Sequence, residues 1–108
     1  MDPILHAANS TGNELMENCK GFDTSKPSLK SGLCGGYIVG VEAGYSAAVE
    51  RFHGKPTYCL PVHVTNAQII KVALKYMHEH PERLHFGPES LIITAMDIGF
   101  PCSDTSPQ

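Results

Sequence analysis

Apolar residues recur at helical spacing along most of this chain, and period-two alternation is nowhere sustained. The clearest run follows Pro61. Ile69, Val72, Ala73, Tyr76 and Met77 fall on one helix face, Ile70 and Leu74 widen it, and Lys71 and Lys75 point away. Thr65-Asn66-Ala67-Gln68 reads as the capping box that starts this helix. Pro81 ends it, because the residue before a proline is pushed out of the α region. Gly87-Pro88-Glu89 opens the next helix, with Pro88 in the first helical position and Glu89 near the positive end of the dipole. Leu91, Ile92, Ala95, Met96 and Ile98 supply its core face, and Gly99 and Pro101 terminate it.

The N-terminal half carries two further helices. Thr11-Gly12-Asn13-Glu14 predicts a capping box, with Leu15, Met16 and Cys19 facing inward and Gly21 as the stop. A polar connector around Pro27 leads to a longer helix, expected to start between Ser28 and Ser31 and to run to about Phe52, with Gly54 and Pro56 ending it. Residues 1–10 read as a flexible N-terminal arm, 11–102 as a single helical domain and 103–108 as a flexible C-terminal tail. The fold class is all-α, a small bundle of about four to five helices.

Within the long helix, Gly32, Gly36, Gly40 and Gly44 recur at every fourth position and Ala48 continues the row. Each interior glycine costs about 1 kcal/mol relative to alanine, so a compensating gain is expected. Close approach of another helix backbone at Gly36, Gly40 and Gly44 supplies one, within the chain in preference to across a dimer. A phosphate-binding loop would need its glycines in a strand-to-helix turn followed by Lys and Ser or Thr, and that pattern is missing. The apolar window from Leu33 to Val49 is short for a membrane span and holds Glu42 at its centre, so a soluble helix is expected, with no membrane partner.

Composition narrows the function classes. The formal net charge is −3, and the basic residues form no stripe. With no Lys/Arg stripe and no aromatic platform, nucleic acid is not an expected partner. At 108 residues the chain is one domain with a poor surface-to-volume ratio. Four cysteines in so short a chain suggest two disulfides and an oxidising compartment. Zinc is the rival, but Cys19, Cys34, Cys59 and Cys102 lie far apart with no C-x-x-C knuckle. Three pairings of four cysteines are possible. Helix order suggests Cys19–Cys34, which closes the local connector, and Cys59–Cys102, which ties the open ends of an antiparallel hairpin. Met1-Asp2-Pro3 lacks a basic n-region and Ile4 to Ala8 is too short for an h-region. Export is therefore expected to depend on a leader outside this sequence.

Five elements now stand in order: Cys34-Gly35-Gly36-Tyr37-Ile38-Val39-Gly40-Val41, Tyr58-Cys59-Leu60-Pro61, Val64-Thr65-Asn66-Ala67-Gln68, His80-Pro81-Glu82-Arg83-Leu84-His85 and Phe100-Pro101-Cys102. Their order and spacing resemble the Rap/Tai immunity proteins of type VI secretion systems, over about Gly12 to Cys102. The resemblance implies a helical, often dimeric protein of the bacterial periplasm. It implies binding to a peptidoglycan amidase and occlusion of its active-site cleft, with no catalysis and no cofactor. Phe86-Gly87-Pro88 departs from the more usual acidic and Ala-rich start of the last helix. The expected partners are thus a cognate cell-wall amidase toxin and a second copy of the chain.

The residues offer little to an enzyme. There is no H-E-x-x-H and no G-x-S-x-G. His78 and His80 are two apart and point to different helix faces, so metal binding with His85 would require the helix to break at once, and no metal is expected. The corner from His80 to Pro88 is the candidate site. Structurally, its prolines stop one helix and start the next while Leu84 plugs the hairpin end. Functionally, His80, Glu82, Arg83, Leu84 and His85 would form a rigid wedge for a partner's cleft. Tyr37, Tyr45 and Tyr58 read as core residues with the hydroxyl at the edge. The alternative function is a periplasmic acid-stress chaperone, for which six histidines make a pH response conceivable.

Overall fold

A computed structural model describes residues 10–22 and 27–103. The arm and tail expectations therefore fall almost wholly outside the described residues, as does part of the connector before Pro27. The four helices are α1 (Gly12–Cys19), α2 (Leu29–Arg51), α3 (Asn66–Glu79) and α4 (Pro88–Gly99), with a single 3-10 turn over Pro81–Arg83 between the last two. α1 packs on α2, α3 on α4, and α2 crosses both members of the α3–α4 pair.

The starts of these helices are written locally. Thr65 Oγ1 accepts from Gln68 N–H at 3.1 Å and Gln68 Oε1 accepts from Thr65 N–H at 2.8 Å, so the predicted box before α3 is complete. α2 has its own reciprocal box, between Ser28 and Ser31. Caps of this kind are each worth about 1 kcal/mol. Before α1 only half the predicted box forms. Thr11 Oγ1 accepts from Glu14 N–H at 3.2 Å, but the Glu14 carboxylate turns to the Ser10 hydroxyl instead of reaching back. Gly21 stops α1 in the left-handed region, with φ 73°.

α2 ends at Arg51 with Phe52 as its cap, as the spacing predicts, and His53 takes the left-handed position, with φ 53°. Gly54 N–H donates to Val49 O at 2.9 Å and His53 N–H to Glu50 O at 3.3 Å. This paired pattern satisfies the last carbonyls of the helix.

The core is built where the four helices meet, around Leu15, Ile38, Met77, Ile92 and Met96, none of which is exposed. Ile69, Ile70, Ala73, Leu74, Tyr76 and Met77 of α3 are buried, with Val72 half-buried at the edge. In α4, Leu91, Ile92, Ala95 and Met96 are buried as the pattern predicts, but Ile98 is 63% exposed. The last turn of α4 approaches α3 through Gly99, where an added Cβ would lie 2.5 Å from Val72 Cγ1, and Phe100 takes the remaining place on the core. Ile98 is left on the rim.

The glycine row requires a correction. Among the described residues nothing lies within 4 Å of a Cβ added at Gly32, Gly36, Gly40 or Gly44, and all four are exposed. Gly36, Gly40 and Gly44 therefore make no close contact with another of the described helices. The reason is rotational: Cys34, Gly35, Ile38 and Glu42 face the core, which turns the row outward. The glycines that do admit close neighbours are others. At Gly35 an added Cβ would meet Ile70 and Phe22 at 3.3 Å, and at Gly12 it would overlap the Leu91 side chain.

Both expected disulfides are present. Cys19–Cys34 joins the end of α1 to the first turns of α2, and Cys59–Cys102 closes the α3–α4 hairpin at its open ends. Among the described residues no helix is long and apolar enough to cross a membrane.

Candidate functional site

The corner between α3 and α4 is held from three directions. α1 supplies the first. The opening N–H groups of a helix have no partner within it, and here two of them are used on the corner. Gly12 N–H donates to Phe86 O at 2.9 Å and Asn13 N–H donates to Leu84 O at 2.8 Å. Gly12 makes this approach possible, since an added Cβ would sit 3.0 Å from Leu84 O as well as overlapping Leu91.

α3 supplies the second. Arg83 Nη1 donates to the Tyr76 hydroxyl at 2.8 Å, and the His80 ring lies on the Tyr76 ring with centroids 4.5 Å apart. The third is internal. Arg83 N–H donates to His80 O at 3.0 Å and Leu84 N–H to Pro81 O at 3.3 Å, which winds the 3-10 turn, and Phe86 N–H donates to Arg83 O at 3.0 Å just after it. The His80 Nδ1 and Glu82 Oε2 atoms are 3.0 Å apart, and Arg83 Nε lies 3.6 Å from the same oxygen. The hydrogen bond from His80 holds the Glu82 carboxyl below the usual carboxylate range, helped by a backbone N–H and by Arg83.

The five predicted residues thus come together on one short segment, in different roles. Leu84 is half-buried and packs on the core, which is the plug expected of it. His80 is half-buried against Tyr76. Glu82, Arg83 and His85 are exposed. The histidines diverge: His78 points out from α3, His80 stacks on Tyr76 and His85 stacks on Phe86 with centroids 4.2 Å apart. No group of three or more His, Cys, Asp or Glu among the described residues is arranged to hold a metal ion.

Phe86 belongs with this site, and the sequence reading passed over it. It is 49% exposed although its backbone is bonded on both sides. The available signal was a large apolar residue placed directly before Gly87-Pro88, outside any helical face. An aromatic ring held out by a fixed backbone is suited to filling a partner's pocket.

The three tyrosines flagged in the sequence serve the fold. The Tyr58 ring is buried, and its hydroxyl donates to Glu42 Oε2 at 3.0 Å, beside the Ser46 hydroxyl at 2.5 Å. Glu42 is the one buried charged residue among those described, and these two donors satisfy it. Burial, then the Glu42 bond, pushes the Tyr58 phenol up. Tyr45 stacks on Tyr58 and bonds Thr57, whose hydroxyl donates to Asp97 of α4. Tyr37 donates to Glu89 at 2.9 Å, and burial followed by that bond pushes its phenol up to about 12.

Comparison with curated proteins and with solved structures finds no match. The sequence pattern of the Rap1a immunity proteins, in contrast, matches residues 11–102, from the cap of α1 to the last cysteine. That span contains all four helices, both disulfides and the buttressed corner. The chain belongs to the Rap1a immunity protein family.

Proposed function

We propose that this protein protects the bacterial cell wall by binding a cognate type VI peptidoglycan amidase in the periplasm and occluding its active-site cleft. Family membership carries the immunity role toward an effector. Two disulfides fit an extracellular or periplasmic location. The observation that supports the wedge is the contrast at the corner. Its backbone is fixed by Gly12, Asn13 and internal bonds, while Glu82, Arg83, His85 and Phe86 present their side chains to solvent. A segment ordered before binding loses less entropy on docking, so more of the contact energy appears as affinity. Inhibition of this kind is binding, and no catalytic step is needed.

The second copy expected from the resemblance is proposed to pair through the open face of α2. Gly36, Gly40 and Gly44 leave that face smooth, and none of the described residues covers it at those positions.

The test is co-elution with, and titration of, an amidase effector from the same strain. A stable complex and loss of peptidoglycan hydrolysis at a fixed molar ratio are expected. Undiminished hydrolysis with no complex would set the amidase reading aside, and aggregation of acid-stressed client proteins would then be the assay for the chaperone alternative.

A further inference from the structure

The two disulfides sit in opposite environments. Cys19 and Cys34 are 7% and 0% exposed and belong to the core between α1 and α2. Cys102 is exposed in the segment after α4, flanked by exposed Pro101 and Ser103, and Cys59 is half-buried before α3. A thiolate must reach a sulfur along the S–S axis to attack it, so access decides which bond exchanges. In the first bridge Cys34 is fully buried, and Cys19 shows only a small edge to the open pocket beside α1. Among the described residues Cys102 is the most exposed end of either bridge.

The second bridge is also backed by other ties. Cys59 N–H donates to Phe100 O at 2.9 Å, and Thr57 Oγ1 donates to Asp97 Oδ1 at 2.5 Å. The Tyr45 hydroxyl contacts Thr57, and Tyr58 is anchored on Glu42. These bonds join the α2–α3 linker to α2 and α4 at Cys59 and at the two residues before it. The hairpin core of Ile69, Ala73, Met77, Ile92 and Met96 does not involve either sulfur. Opening the bridge would leave these contacts in place.

We propose that Cys59–Cys102 is a thiol–disulfide exchange site whose substrate is an external dithiol reductant, entered at Cys102. The reductant's thiolate attacks Cys102 Sγ. A mixed disulfide forms as the Cys59–Cys102 bond breaks, and Cys59 leaves as a thiolate that takes up a proton. The reductant's second thiol, deprotonated, attacks its own sulfur in the mixed disulfide. Cys102 leaves as a thiolate and is protonated. Two electrons pass to the protein, two cysteine thiols result, and the dithiol becomes a disulfide. Because the bridge closes the hairpin end opposite the corner, the exchange leaves the His80–Phe86 segment in place.

The experiment uses the full chain with dithiothreitol as the dithiol probe. Samples at graded concentrations are acid-quenched, alkylated and mapped by mass spectrometry, with circular dichroism in parallel. Cys59 and Cys102 should be labelled at a reductant concentration about tenfold lower than Cys19 and Cys34 require, with the helical signal unchanged at that stage. With glutathione as a monothiol probe, the first adduct should map to Cys102. Simultaneous labelling of all four cysteines, earlier labelling of Cys19 and Cys34, loss of helicity with the first reduction, or a first adduct on Cys59 would each overturn the proposal.

Discussion

The backbone N–H of Asn13 donates to the Leu84 carbonyl at 2.8 Å, across 71 residues of sequence (84 − 13). One residue earlier, Gly12 bonds Phe86 in the same way. The first turn of α1 thereby serves as the support for the corner, and the missing side chain at Gly12 lets it come close enough.

Gly12→Ala should separate α1 from the corner. The new Cβ meets Leu91 and the Leu84 backbone, and overpacking of this kind costs about 1–3 kcal/mol. Urea unfolding should show that loss. Effector affinity should fall with it, although Gly12 is buried behind the proposed contact surface. Unaltered stability would mean that the corner does not depend on this approach.

Phe86→Ala should separate binding from folding. Phe86 is half exposed, so its removal should change monomer stability by no more than about 0.5 kcal/mol. As an interface anchor it should cost about 2 kcal/mol of affinity, roughly thirtyfold. Calorimetric titration against the effector reads the second quantity and thermal unfolding the first. Equal affinity of variant and parent would remove Phe86 from the interface.

Gly40→Leu should leave the monomer intact. The position is open, and exchanging a glycine for a good helix former in an exposed helix gains up to about 1 kcal/mol. Light scattering then reports on assembly alone. A dimer that weakens in the variant places the α2 face in the interface. A dimer of undiminished strength removes it.

His53→Gly should stabilise the protein by about 1 kcal/mol, the usual cost of a left-handed conformation for a residue with a Cβ. The native φ of 53° is open to glycine without strain. The denaturant midpoint should rise, and an unchanged midpoint would show that His53 carries no such cost.

The alkaline limb of stability should report Tyr37 and Tyr58. Both phenols are raised above the ordinary 10.0 by burial and by carboxylate acceptors. A raised phenol pKa contributes stability that is complete below the unfolded value and declines as pH climbs toward the folded one. Stability should therefore fall from pH 10 toward about 12, the folded value for Tyr37. Phenolate absorbance should show Tyr37 and Tyr58 ionising above the ordinary value. Ionisation of these two near the ordinary value would contradict the bonds to Glu89 and Glu42.

Local chemistry explains which features were legible in the sequence. The α3 cap at Thr65 and Gln68, the stop at Gly21 and the inward faces of α3 and α4 depend on residues within one or two turns of each other. Helix order suggested the disulfide pairing that is found, given an antiparallel α3–α4 hairpin, without excluding the other two pairings. The glycine row of α2 was seen but placed on the wrong side, because spacing fixes which residues share a face and not which face meets the core. Cys34, Ile38 and Glu42 decide that, and Glu42 is a carboxylate whose burial depends on Tyr58, 16 residues away. Ile98 has the right spacing for the core, yet Gly99 meets Val72 and Phe100 takes the remaining place, which leaves Ile98 on the rim. The corner was recognisable as a segment through its prolines. Its support was not, because bonds from Gly12 and Asn13 to backbone carbonyls leave no trace in side-chain pattern.

The most direct measurement is peptidoglycan hydrolysis by the effector, titrated with the native protein and with the Arg83→Ala/His85→Ala variant side by side. The native protein should abolish hydrolysis at a fixed molar ratio. The variant also loses the Arg83–Tyr76 bond, so thermal unfolding is read alongside; once matched for folded fraction it should require a concentration at least tenfold higher, about 1.4 kcal/mol of lost affinity. Identical titration curves would contradict the corner as the inhibitory wedge.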